Sequence, residues 1–312
     1  MNRRTGVSMN TATLSLLTLC GLLAAADADP PPRRTVGDIA LHCDTQTSYA
    51  RLLWPGGRRR AVTLSFDDGR IHDRRLVAIF NQHGLRGTFN LVSGTLDKDG
   101  YVTRAEVKTL YAGHEVGAHT VTHPPLTKQT DETIAREVLD NRADLEALVG
   151  YTVRGLAYPG GDADERVAAL LPKYGIDYAR LVGTTTWMAT PDRKPLGWQC
   201  TCHHGEALKY AERLLTWDSF PALLSVWGHS YEFEEQGNWS LIEQFAERVG
   251  GRPDIWYATN IEVVDYLAAA KALRVSADGA SIENPSAQPV WLDVQGRVVE
   301  LGAGVRTVVG DG

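Results

Sequence analysis

From Ala61 onward short apolar runs alternate with amphipathic stretches, and this rhythm restricts the chain to few architectures. Apolar, β-branched runs predict strands at 61–66, 87–92, 115–119, 154–158, 176–182, 222–227 and 255–258. Between them, spacings such as that of Leu76, Val77, Ile79 and Phe80 predict helices, the longest from Asp131 to Val149 with Ile134, Val138, Leu145 and Leu148 on one face. Helices that separate successive strands provide the crossovers that parallel pairing needs. The expected fold class is therefore α/β, either an open parallel sheet or a closed barrel of seven strands.

The flanks are different in texture. Residues 1–28 combine Arg3 and Arg4, an apolar stretch from Thr11 to Ala26 and small residues Ala26–Asp27–Ala28, the pattern of a secretory signal peptide. The apolar stretch is shorter than the ~20 residues that span a bilayer. Export to the periplasm or medium is the expectation, with a retained N-terminal anchor as the alternative and no stable membrane span. Residues 29–60 are punctuated by Gly and Pro and read as a leading segment; 61–273 read as the main domain; 274–312, with short β-like pieces and turn dipeptides, read as a small β appendage. A formal charge of −6 over 312 residues offers no basic footprint, so no nucleic-acid partner is expected. In an exported protein the expected disulfide joins Cys43 to Cys200 or Cys202. The run Cys200–Thr201–Cys202–His203–His204 could alternatively hold a metal, but ligands this close in sequence wrap one tetrahedral ion poorly, which favours a structural loop.

Chemistry concentrates at strand ends. Leu64–Ser65–Phe66–Asp67–Asp68–Gly69 closes an apolar run with two carboxylates, and a turn at Gly69 can bring both to one rim. A helix cap with an Asx turn would explain that tripeptide alone. His119–Thr120–Val121–Thr122–His123, followed by Pro124 and Pro125, has the spacing of a helical zinc pair but lacks the intervening glutamate, and its β-branched residues and prolines predict a strand end and loop. One carboxylate with two imidazoles leaves room for water, as a catalytic metal requires. Ala157–Tyr158–Pro159–Gly160–Gly161 offers an unobstructed amide on Gly160 or Gly161 for an oxyanion, or is a plain turn. His229, after the run 222–227, is a candidate proton donor or an ordinary loop histidine.

In this order the motifs resemble those of the polysaccharide deacetylases with the NodB homology domain, carbohydrate esterase family 4, over residues 61 to 270. The resemblance implies a deformed (β/α)7 barrel, Asp67 as catalytic base, and Asp68, His119 and His123 as metal ligands. It also implies Gly160 beside the oxyanion and His229 as acid. Two features depart from the family pattern. Ala157 stands where an arginine often orients the catalytic Asp, and the Asp and Trp near the acid histidine have no clean counterpart, although Asp192, Trp198 and Asp218 are conceivable.

The activity so implied is metal-dependent removal of N-acetyl groups, or O-acetyl groups, from a carbohydrate polymer or oligosaccharide. Asp with two His suits zinc, and also cobalt, nickel or manganese. Two rivals remain open: a catalytically impaired exported carbohydrate-binding protein on the same fold, and a two-histidine, one-carboxylate iron oxygenase. Trp187, Trp198 and Trp239 are candidate sugar-stacking platforms. Oligomeric state is not legible.

Overall fold

The computed structural model describes residues 38–43, 46–191 and 194–309. Residues 1–28, the expected signal peptide, and Asp192 lie outside the described residues.

The first parallel strand, β1 (Arg60–Asp67), is buried from Ala61 to Asp67, which is why its sequence is apolar almost without alternation. It is followed by β2 (Gly87–Leu91), β3 (Glu115–Ala118), β4 (Gly155–Ala157) and β5 (Tyr178–Thr184). A broken strand comes next, β6, made of Trp198–Cys200 and Cys202–His203, and then β7 (Ala222–His229). Neighbours pair in the order β6, β5, β4, β3, β2, β1, β7, all in parallel. The second half of β6 pairs with β7, and the Thr201 amide at its break donates to Ser225 O on β7. One segment thus touches both ends of the series, and the sheet returns on itself.

The apolar pattern also predicts seven strands, with a different membership. Ile255–Tyr257 (β8) is a short strand on the lower half of β1, on the edge whose upper half takes β2. The segment Trp198–His203, which that pattern does not reveal, completes the series instead. Its sequence, Trp-Gln-Cys-Thr-Cys-His, has no run of aliphatic residues, and Thr201 interrupts its pairing.

The helices are α1 (Asp73–Gln82), α2 (Arg104–Leu110), α3 (Asp131–Val149), α4 (Glu165–Leu170), α5 (Ala207–Leu215), α6 (Ser230–Glu235), α7 (Ser240–Val249) and α8 (Asn260–Lys271). The long α3 is delimited as its sequence suggests. Thr130 Oγ1 accepts from the Thr133 amide at 3.2 Å, and Gly150 ends the helix at φ 81°. Between helices and sheet lies a core in which Phe66, Phe80 and Phe89 meet with ring centroids 5.8–6.4 Å apart.

At the opposite end, strand Gln46–Leu53 pairs antiparallel with Val290–Val294, which pairs with Arg297–Leu301. Leu52, Trp54, Tyr266, Leu292 and Leu301 form a second buried cluster there.

Several sequence expectations are corrected here. Cys200 and Cys202 are free, buried thiols, so the expected bridge to Cys43 is not formed. Burial pushes the Cys200 thiol up to about 12 and raises Cys202 as well, which keeps both protonated. Trp198 and Trp239 are core residues, whereas Trp187 is 60% exposed. Among the described residues, no helix is long and apolar enough to cross a membrane.

Candidate active site

The carboxyl ends of β1, β3, β4 and β7 bring the sequence motifs to one rim, where α/β folds place their sites. After β1 the chain turns through two residues with positive φ, Asp68 at 79° and Gly69 at 67°. The left-handed turn directs the two neighbouring carboxylates toward one region instead of opposite faces. A Cβ on Gly69 would meet Leu91 Cδ2 at 3.0 Å.

Beyond β3 the histidine loop is held by α3. Asn141, fully buried, donates to Leu91 O at 3.1 Å and Thr120 O at 2.7 Å and accepts from the His119 amide at 3.1 Å. Glu137 accepts from the Val121 and Thr122 amides at 2.8 Å and from Thr122 Oγ1 at 2.6 Å. Thr120 and His123 adopt positive φ, 66° and 61°, and these bonds offset that strain. The two rings of His119 and His123 meet edge to face, centroids 4.6 Å apart.

His119 Nδ1 lies 2.7 Å from Ala157 O, at the end of β4. That carbonyl can only accept, so Nδ1 carries the proton and Nε2 faces Asp68 with its lone pair when the ring is neutral. Nε2 of His119 stands 3.5 Å and Nε2 of His123 3.9 Å from Asp68 Oδ1. Two ligands held at about 2.1 Å by a tetrahedral ion are roughly 3.4 Å apart. A carboxylate facing an imidazole lone pair at that spacing fits a divalent cation well. Burial opposes ionisation of Asp68, but when no metal is held and His119 carries a second proton, its hydrogen bond and charge outweigh this and lower the carboxyl below the usual range.

Asp67, 2% exposed, is the more constrained acid. Its Oδ1 accepts from Asn90 Nδ2 at 2.9 Å, and its Oδ2 is bound by Arg180 Nη2. Arg180 Nε also donates to Ser65 Oγ at 3.1 Å. Burial would raise the Asp67 carboxyl, yet the Arg180 charge, with His119 and His229, brings it down to about 2. The arginine absent at Ala157 therefore has a counterpart on the next strand, since Ala157 and Arg180 are register partners. Sequence reasoning missed it, although a lone arginine inside the run 176–182 is a signal.

His229 is the register partner of Asp67 on the adjacent strand and sits at the N-terminus of α6. Its Nδ1 lies 2.7 Å from Glu232 Oε1. Burial lowers the His229 pKa, but Glu232 and the two aspartates outweigh it, so the ring holds its proton to higher pH than a free histidine. Glu232, three residues downstream, supplies the acidic partner for which Asp192 and Asp218 are the sequence candidates.

Gly160 lies in the turn Pro159–Gly161 at φ 58°, exposed, and a Cβ added there would meet nothing within 4 Å. The Gly161 amide is spent on Tyr158 O at 2.9 Å, which leaves Gly160 as the better of the two candidate donors.

Residues 56–179 match the family model described as polysaccharide deacetylase, and over that stretch the chain is similar to this family. Among the relatives, peptidoglycan-N-acetylglucosamine deacetylase PgdA of Listeria monocytogenes is 28% identical over 112 residues, 35% of this chain and 23% of that protein. Chitin deacetylase 1 of Cryptococcus neoformans is 30% identical over 116 residues, 36% of this chain and 24% of that protein. The chain thus matches about a quarter of the length of these curated relatives. A solved Mycobacterium smegmatis protein assigned to the polysaccharide deacetylases shares the fold, with a TM-score of 0.55 at 16% identity over 70% of this chain and 93% of that one.

Proposed function

We propose that this protein is a metal-dependent hydrolase that removes N-acetyl, or O-acetyl, groups from an extracellular or cell-wall carbohydrate, and that it is exported through residues 1–28. The observation that carries the reading is the meeting of two unlike carboxylates: Asp68 beside two imidazoles, and Asp67 beside an arginine and His229.

A divalent ion held by Asp68, His119 and His123, most simply zinc, would supply a water of lowered pKa and polarise the acetyl carbonyl. Asp67 is the base. Arg180 and Asn90 keep it ionised and fix its orientation, so one oxygen can accept a proton at neutral pH. Gly160 donates its N–H to the carbonyl oxygen as that atom gathers charge, a contact of a type worth roughly 3–4 kcal/mol. His229 carries the proton that the departing nitrogen requires, and Glu232 holds it in place through Nδ1. An amine is a poor leaving group, so an amide substrate depends on His229 more than an ester does.

The Arg180–Asp67 pair also supports an active enzyme over an impaired carbohydrate-binding protein, because the base has its orienting partner. Acetate release from chitin oligosaccharides, peptidoglycan and acetylated xylan, with metal-stripped and zinc-, cobalt-, nickel- or manganese-reconstituted protein, tests the proposal. Metal-dependent acetate from one of these is expected. No acetate from any of them, with metal bound, would reject it.

A further inference from the structure

Glu232 is surrounded by more imidazole than one proton donor requires. Its Oε1 lies 2.7 Å from His229 Nδ1, and its Oε2 lies 3.1 Å from His203 Nε2 and 2.6 Å from His204 Nε2. Among the described residues two groups of three metal-ligating side chains have one ligand atom each within 4.8 Å of one another. One is Asp68, His119 and His123; the other is His203, His229 and Glu232. The second group is open to solvent, its side chains 32%, 20% and 18% exposed respectively. His204 is the buried wall behind it, packed on Phe233 at 4.2 Å between ring centroids and against Gly228, where a Cβ would meet His204 Cδ2 at 2.5 Å.

We propose that His203, His229 and Glu232 form a second site for a divalent cation of the zinc, cobalt or nickel type, and that its occupancy switches off the proton donor. Two imidazole nitrogens and one carboxylate oxygen are a donor set these borderline ions prefer. The present atoms are spaced by hydrogen bonds, 2.7 Å from His229 Nδ1 to Glu232 Oε1 and 3.1 Å from His203 Nε2 to Glu232 Oε2, so a modest rotation of the Glu232 carboxylate, opening these contacts by about 0.7 and 0.3 Å, reaches the roughly 3.4 Å of ligands on one tetrahedral ion. Of the run Cys200–His204, only His203 takes part, because the two thiols are buried elsewhere in the strand. Coordination through His229 Nδ1 displaces the proton now shared with Glu232 and leaves a neutral ring, with no imidazolium to protonate the leaving nitrogen. The binding claim stands on geometry alone; the inhibitory consequence rests on the function proposed above. Excess metal should then inhibit an enzyme that a first equivalent activates.

The test counts bound zinc by equilibrium dialysis with elemental analysis, alongside acetate release. Wild-type protein should bind two equivalents and lose activity as the second fills. His203→Gln, at a partly exposed position, should bind one equivalent and resist inhibition by excess zinc. A double variant, Asp68→Asn with His123→Asn, should retain one equivalent, which keeps the proposal testable if His203→Gln folds poorly. A single equivalent on wild type, a second equivalent retained by His203→Gln, or none on the double variant overturns the proposal. Absence of acetate release with both equivalents counted as expected would instead reject the function and leave the second site standing.

Discussion

Arg180 and Asp67 form a fully buried ion pair between strands that are not neighbours, β5 and β1. Removing the cation strands a carboxylate in an apolar interior. Arg180→Met should therefore cost about 3–5 kcal/mol of stability and raise the Asp67 pKa toward or above its usual value. Urea denaturation reads the first effect and the acid limb of the pH–rate profile the second. Because Ala157 is the register partner of Arg180, Ala157→Arg placed on Arg180→Ala should recover part of the activity. Recovery no better than Arg180→Ala alone would mean that the interior cannot accept the arginine from β4.

Asp67→Asn should fold, keep its metal and lose activity by about 10²–10⁴-fold, the usual range for a general base. Elemental analysis and acetate release separate the two properties. An Asp67→Asn protein with near wild-type turnover would transfer the role of base to another group.

Much of this site was legible because its chemistry sits in short motifs at strand ends. Asp67, Asp68, His119, His123 and His229 could be placed at the ends of expected strands from the apolar pattern, and their roles came from the family resemblance. Arg180, Asn141, Glu137 and Glu232 could not, for a common physical reason. Each acts across tertiary distance or from a helix whose polar residues look like any solvated face. The closing strand 198–203 escaped for a different reason: one residue, Thr201, breaks its pairing, and its burial rests on Trp and Cys rather than on aliphatic residues.

Metal removal should lower stability as well as activity. Binding at 100 times Kd adds about 2.7 kcal/mol, so chelation should reduce the melting temperature, and His123→Asn should shrink the difference between chelated and zinc-loaded protein to what the second site alone contributes. An equal zinc-induced shift in His123→Asn would move the tight site away from Asp68.

Glu232→Gln removes the carboxylate that holds the His229 proton. The His229 pKa should fall, so the alkaline limb of kcat should move to lower pH, and turnover of an N-acetyl substrate should fall more than that of an O-acetyl substrate. An unmoved alkaline limb would assign that limb to another group.

Asp73 offers a stability test with the opposite sign from Asp67. Burial raises its carboxyl to about 7, although Ser230 Oγ and Tyr111 OH donate to it at 2.5 Å and 2.6 Å. The folded state therefore holds a proton that the unfolded chain loses near pH 4, and stability should decline as pH rises from about 4 to 7. Asp73→Asn should flatten that decline. Urea midpoints measured across the interval, at constant metal, would show it; an unchanged slope would mean that Asp73 ionises as freely in the fold as out of it.

The antiparallel sheet that joins strand Gln46–Leu53 to Val290–Val294 has a practical corollary for dissecting the protein. Leu52 and Trp54 from before the parallel sheet, and Leu292 and Leu301 from after it, seal the same cluster around Tyr266. A fragment trimmed to 61–273 would keep every residue of the reaction centre while baring the underside of the strands that carry them. These two segments flanking the parallel sheet act as a clasp, and an excised core is expected to aggregate before its chemistry can be assayed.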